Sequence, residues 1–239
     1  MPVFLFTDFG ASDPYAGQVR AAILERAPRQ AVIDLLHDAP AFAVEASAHL
    51  LAAMFVRLPV RSVTLAVVDP GVGSHREALA VRADNRWLVG PDNGLLSVAA
   101  TRASTQAVYT IGWRPKRLSE SFHGRDLFAP VAAMLASGAR ETTKLKKSAF
   151  SRRMGAGDLR EVIYVDHFGN VMTGMRASAL DSQQTIRLKG QTIEFARVFS
   201  EVRAGQLFWY VNSLGLVEIA ANSASAQRIL AIAVGDPIA

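Results

Sequence analysis

The stretch Ser62-Val63-Thr64-Leu65-Ala66-Val67-Val68-Asp69-Pro70-Gly71-Val72-Gly73-Ser74-His75-Arg76 decides how this chain is read. Its first seven residues are dominated by β-branched and aliphatic side chains, a run suited to a strand buried on both faces. Asp69 then opens a turn built from Pro70, Gly71 and Gly73. Asp, Pro and Gly are ordinary turn residues, so capping the turn is the plain reading of Asp69. In an open α/β sheet, however, ligands sit in the crevice beyond the carboxyl ends of parallel strands, which makes Asp69 a functional candidate as well.

Outward from this stretch the pattern recurs. Pro2 to Thr7 is a short apolar strand ending in Asp8, and Tyr15 to Arg26 has helical spacing through Val19, Ala22 and Ile23. Ala31 to Leu36 is a second strand ending in His37 and Asp38, and Phe42 to Val56 is a longer helix. Strand, helix, strand, helix, strand with short loops implies a parallel sheet covered on both faces. Asp8, His37 and Asp69 then share one rim. Further strands are expected at Ala78 to Val81, Trp87 to Val89 and Ala107 to Ile111, with a short helix at Leu95 to Ala100 and another running from about Pro130 to Ser137.

From Glu141 to Gly157 the composition turns to Lys, Arg, Ser, Thr and Gly, which places a domain boundary near residue 150. Beyond it the period changes to that of short strands: Glu161 to Asp166, Asn170 to Met175, Thr185 to Leu188, Thr192 to Ala196, Leu207 to Val211, Leu216 to Ala220 and Ile229 to Val234. The fold class is therefore an α/β N-terminal domain (1–150) with a mostly parallel sheet, plus a smaller, mostly antiparallel all-β C-terminal domain (151–239) shaped as a small barrel or sandwich.

Composition narrows the chemistry. The 239 residues include no cysteine, so any nucleophile is oxygen or nitrogen and thiolate metal sites are excluded. No apolar run approaches the ~20 residues of a spanning helix, and no basic leader precedes the first strand, so a cytoplasmic location is expected. The net charge of +5 is concentrated at Lys144, Lys146, Lys147, Arg152 and Arg153. With only Phe150 interleaved, that run reads as a solvated linker and a nucleic-acid partner is disfavoured. His37, Asp38, His123 and Asp126 lack metal-ligand spacing and read as hydrogen-bonded loop residues, so no metal is expected.

Five loops are dense in polar residues: Thr7-Asp8-Phe9-Gly10, Asp69 through Arg76, Gly90-Pro91-Asp92-Asn93-Gly94, Phe122-His123-Gly124-Arg125-Asp126 and Asp166-His167-Phe168-Gly169-Asn170. In residues and order these resemble, along nearly the whole chain, the S-adenosyl-L-methionine (SAM) hydroxide adenosyltransferase family, relatives of the SAM-dependent fluorinating and chlorinating enzymes. The resemblance implies hydrolysis of SAM to adenosine and L-methionine by attack of water at ribose C5′, with no cofactor. It also implies a homotrimer whose active sites lie between the N-terminal domain of one subunit and the C-terminal domain of its neighbour.

By the same resemblance, the family's Asp-Arg-His set falls on Asp69, Arg76 and His123. A sulfonium leaves as a neutral thioether and needs no general acid, so the site has only to orient a water and take its proton. Arg76 would make Asp69 a better anchor and a poorer base, leaving His123 as a proton acceptor. Asp8 matches the residue that binds the ribose hydroxyls and Phe42 one that packs near the ribose. Phe168 and Asn170 suit adenine, and Asp166 and Ser213 suit the ends of methionine, with Asn212 and Ser223 in the matching C-terminal loops. Core packing is the alternative for Phe42 and Phe168, and a purely structural turn for Asn93.

Two positions depart from the pattern. Leu214 stands where the halogenating relatives carry arginine, and Gly174, where asparagine is usual, would loosen a turn. A halide-using enzyme is the nearest alternative activity, disfavoured because an anionic Asp69 repels halide. A binding module for adenosine or SAM is the alternative from another class.

Overall fold

The structure, a computed structural model, describes residues 1–238 and divides into two units, Met1–Ala156 and Gly157–Ala239. The first is built on β1 (Val3–Thr7), β2 (Val32–Leu36), β3 (Val63–Val67), β4 (Ala78–Ala83), β5 (Arg86–Pro91), β6 (Gln106–Ile111) and β7 (Leu145–Ser148). They form one sheet in the order β2-β1-β3-β5-β4-β6-β7. β1, β2, β3 and β5 run parallel, and β4 is antiparallel to both β5 and β6, so β6 shares the common direction. Only β4 and β7 run the other way.

The helices are α1 (Pro14–Arg26), α2 (Val44–Phe55), α3 (Ser97–Arg102) and α4 (Ala129–Ala136). Val3, Leu5, Val63, Leu65 and Val67 form one core with Val19 and Ile23 of α1 and the buried length of α4. Strand side chains alternate in direction, so Phe4, Phe6 and Ala66, all buried, serve the opposite face. α2 is apolar nearly all round, with Leu50, Leu51, Ala52 and Phe55 buried, as suits a helix enclosed by sheet and neighbours, and it packs against α3.

The basic stretch holds a correction. Lys146 and Lys147 belong to β7, which pairs with β6 and closes the sheet, so this part of the run is an edge strand and not a linker, while Arg152 and Arg153 lie beyond it. Its side chains are exposed, and lysines on an edge discourage pairing with another sheet. The N-terminal unit accordingly runs to Ala156, held by Ser151 N–H donating to Asp92 and Met154 N–H to Ser97 Oγ at 2.9 Å.

The second unit contains β8 (Leu159–Val165), β9 (Val171–Arg176), β10 (Ile186–Leu188), β11 (Gln191–Ile193), β12 (Leu207–Val211) and β13 (Leu216–Ala221). Four of them form an antiparallel sheet in the order β12-β13-β9-β8, and β10 and β11 form a separate ribbon. The sheet is open, with β12 and β8 at its edges, so its β character is as expected but it does not close into a barrel. A single core of Val162, Val171, Trp209, Val217 and Ile219 fills one face.

Two local expectations fail here. Ile229 to Val234 is not a strand: α5 (Ala226–Leu230) occupies its start, capped by Ser225 Oγ accepting from Arg228 N–H, and ends at Ala231 in left-handed geometry. The N-cap outweighs the β-branched isoleucines. Gly174 is in mid-strand on β9, not in a turn, and a Cβ there would lie 2.7 Å from the Leu159 carbonyl oxygen. Among the described residues no helix is long and apolar enough to cross a membrane.

Candidate active site

β1 and β3 are neighbours, while the chain between them detours through β2 on the other side of β1. That reversal opens a crevice at the carboxyl ends of β1 and β3, where Asp8 and Asp69 follow. A cavity of ≈ 670 Å³ lies there, lined by Asp8, Tyr15, Phe42, Asp69, Phe122 and His123 among others. Such a volume suits a nucleoside-sized ligand.

Of its lining residues, Asp69 is gripped from behind by Arg76 with two bonds, Nε to Oδ1 at 2.7 Å and Nη2 to Oδ2. The two side chains are only 9% and 4% exposed, so the pair is almost wholly withdrawn from water. Arg76 Nη2 also lies 3.4 Å from His123 Nδ1, and the guanidinium sits over the Phe128 ring. Burial, with the Arg76 charge beside it, holds the His123 imidazole below the usual histidine range.

Tight backbone contact brings these loops together. Gly73 has φ +83°, and a Cβ there would fall 2.7 Å from the carbonyl oxygen of Glu120, so the Asp69–Arg76 loop touches the loop before His123. His123 immediately precedes a π-helical turn, Gly124–Phe128, that runs directly into α4. π-turns are uncommon and gather at functional sites. Asp126 Oδ2 fixes the incoming loop by accepting from Ser119 N–H at 2.9 Å.

Asp8 accepts from Phe42 N–H at 3.5 Å, and burial, with a smaller contribution from Asp69, raises its pKa above the ordinary carboxylate value. Folding therefore favours its protonated form, and its contribution to stability is lost as pH rises through the raised folded-state pKa. Asp8→Asn should then raise the melting temperature at neutral pH, less so in acid, while weakening ligand binding; melting curves at several pH values check the first and titration the second. Phe42 is 76% exposed with φ +64°, which excludes a core-packing role.

His37, the third residue of the rim, does not enter the cavity. Its Nδ1 lies 2.8 Å from Thr7 Oγ1 and its Nε2 3.0 Å from Asp34, making it a structural link between β1 and β2. Asn93 is structural too, donating to Val68 C=O at 2.8 Å and so pinning the exit of β3. Residues that sequence reasoning left unassigned are Phe9, Tyr15 and Phe122, whose rings meet in a mutual triad with centroids 5.5 to 6.1 Å apart. Their signal was present in Phe9 and Phe122, each inside a quoted loop. Among the described residues no group of three His, Asp or Glu side chains is gathered as metal ligands would be.

The C-terminal unit carries a cleft of its own, ≈ 730 Å³, lined by Asp166, Phe168, Asn170, Phe199, Ser223 and Arg228 among others. Asp166 Oδ1 accepts from the N–H groups of Phe168 and Asn170, and Oδ2 from Asn170 Nδ2 at 2.9 Å. The loop is closed by Gly169, with φ +84° and Ser225 Oγ 2.1 Å from where a Cβ would stand. Phe168 is 74% exposed, presenting a ring face to whatever enters.

Asn212 and Ser213 do not line this cleft. Asn212 donates to Glu218 at 2.7 Å and accepts from Leu214 and Leu216 N–H, so its side chain shapes the β12–β13 turn. Glu218 is buried, which raises its pKa, and Tyr210 is its second donor. Asn212→Ala should cost about 1–3 kcal/mol by leaving Glu218 short of a donor and the turn unpinned, measurable by thermal unfolding.

Sequence comparison agrees with this division. The profile of the SAM hydroxide adenosyltransferase N-terminal domain matches residues 3–146 and that of the C-terminal domain matches residues 160–239. The chain is 36% identical to the (R)-S-adenosyl-L-methionine hydrolase of Thermus thermophilus, over 99% of this chain and 98% of that protein. It is 38% identical to the protein of the same name from Salinispora arenicola, over 97% and 94% respectively. In three dimensions it is similar to the crystal structure of an uncharacterized conserved protein from Thermotoga maritima, with TM-score 0.84, 32% identity and coverage of 100% and 98%. With both domain profiles in register and relatives aligned from end to end, the chain belongs to the SAM hydroxide adenosyltransferase family.

Proposed function

We propose that this protein hydrolyses SAM to adenosine and L-methionine, water attacking C5′ in line with the departing sulfur. The observation that carries the reading is the Asp69–Arg76 pair, buried at a strand-end cavity with His123 against it. Attack forms the C5′–O bond as the C5′–S pair returns to sulfur, and the thioether leaves uncharged. Because the leaving group asks for no proton and no Lewis acid, the work of the site is to hold a water near one carbon and receive its proton. Asp69 has lone pairs free of Arg76 for that water, and Asp8 is placed to take the ribose hydroxyls.

The C-terminal cleft suits the rest of the substrate. Phe168 offers a ring to stack on adenine beside Asn170, and the Asp166 carboxylate favours the ammonium end of the amino acid. The corresponding assembly is a homotrimer in which the N-terminal cavity of one subunit faces the C-terminal cleft of a neighbour. The exposure of both Phe42 and Phe168 supports it, since rings of that size are seldom left to water.

The decisive experiment is incubation with SAM in ¹⁸O-labelled water without added metal. Label at the 5′-oxygen of adenosine, with free methionine, is the expected result. Unconverted SAM bound one per subunit would overturn the hydrolase reading in favour of a binding module, and a 5′-chloro nucleoside formed only with chloride would favour the halide-using one.

A further inference from the structure

Asp69 and His123 line the cavity with Arg76 against both, and the identity of the group that takes the proton from the attacking water follows from their contacts. An arginine side chain has five N–H donors and no acceptor. His123 Nδ1 lies 3.4 Å from Arg76 Nη2, so it can only be the accepting nitrogen of that contact. A neutral imidazole that accepts at Nδ1 carries its single proton on Nε2. Adding a proton at Nδ1 would turn it against the guanidinium, and the Nε2 lone pair is already committed to its own hydrogen.

We infer that His123 is a neutral Nε2–H donor that positions the nucleophile, and that Asp69 receives the proton. This inference rests on the cavity being the site of SAM hydrolysis.

The surroundings agree with it. Arg76 and Arg114 act against a positive imidazole, outweighing Asp69 and Asp126, and burial acts in the same sense. His123 also lines a second, polar cleft of ≈ 360 Å³ together with Glu77, Arg114 and Glu120, so its ring forms part of the wall between two water-accessible spaces. A fixed N–H in such a wall can hold a water oxygen without competing for its protons. The proton count closes through Asp69. Water forms the new C5′–O bond as it passes one proton to the Asp69 carboxylate and the C5′–S pair returns to sulfur, and Asp69 returns the proton to solvent after adenosine departs. His123 ends each turnover as it began.

Two measurements test this. In wild-type protein labelled with ¹⁵N in its histidines, the His123 ring should show a protonated Nε2 and a bare Nδ1 at pH 7; a proton on Nδ1 overturns the inference. This readout is independent of whether any variant folds. It is equally independent of turnover, so wild-type protein that makes no adenosine would overturn the proposed function and leave the tautomer result standing. The second is kinetic: His123→Gln keeps an N–H donor but cannot accept a proton near neutral pH. Loss of one hydrogen bond's geometry predicts kcat within about tenfold of wild type. If His123 is instead the general base, His123→Gln should fall by about 10²–10⁴-fold, as far as His123→Ala, and that result overturns the inference.

Discussion

Replacing Asp69 by alanine should abolish adenosine formation and destabilise the N-terminal unit in the same stroke. Among the described residues the carboxylate is the ion-pair partner of Arg76, in a site where the two side chains are 4% and 9% exposed. Its removal leaves a buried guanidinium without a counter-charge, and breaking a buried pair from one side costs about 3–5 kcal/mol. On the role inferred above, the nucleophile would also lose its proton acceptor, worth about 10²–10⁴ in rate. The two effects separate with Asp69→Asn, which keeps the shape and one acceptor oxygen for Arg76 but not the charge. That variant should recover a good part of the melting temperature and little of the turnover. Calorimetry beside a product assay checks both, and an Asp69→Asn enzyme with near wild-type kcat would remove Asp69 from the chemistry.

The second large effect is expected at a residue that touches no ligand. Gly90 is the penultimate residue of β5, beside β3, and a Cβ on it would stand 2.2 Å from the Ala66 carbonyl oxygen and 3.3 Å from Leu96 Cδ2. The obstacle is backbone in the interior of a sheet, which has no rotamer to change. Gly90→Ala should therefore cost about 3 kcal/mol, the upper end of the usual penalty for over-packing. Ala66 lies on β3 three residues before Asp69, which follows the end of the strand, so pushing β3 aside displaces the carboxylate as well. Urea unfolding should reveal the loss of stability, and kcat should fall even under conditions where the variant is fully folded. A variant with wild-type stability and kcat would show that β3 and β5 can part without consequence.

How much of this was legible in the chain differs from element to element, for physical reasons. β1 and β3 announce themselves because burial on two faces demands apolar runs, and the strand-end rule then points to Asp8 and Asp69, while β2, at the sheet edge and partly exposed, is read from its own short apolar run. The same rule admitted His37 wrongly. A strand end gives the position of a side chain but not its hydrogen-bond partner, and here Thr7 claims that ring, with the Asp34 carboxylate beside it. β7 was hidden because an edge strand needs no apolar alternation, and its lysines read as linker. α5 was hidden because one capping serine decides five residues. Phe42 and Phe168 were ambiguous by composition alone, since an aromatic residue looks the same whether packed or waiting for a ligand. Asn212 was placed at the site by resemblance, but its side chain is spent on the turn that carries Ser213.

The π-helical turn at Gly124–Phe128 makes the length of the chain, and not only its composition, part of the catalytic design. A π-turn holds one residue more than the α-helical turn it replaces. Deleting a single residue there would let the segment relax into ordinary α-helix while α4 keeps its packing. An α-turn with one residue fewer sweeps nearly the same turn of helix, so His123 would keep its angular register on α4 and lose only the local widening that the extra residue gives. No substitution series samples that coordinate. A one-residue deletion does, and it would separate what the Asp69–Arg76–His123 cluster owes to the widened turn from what it owes to helical register alone.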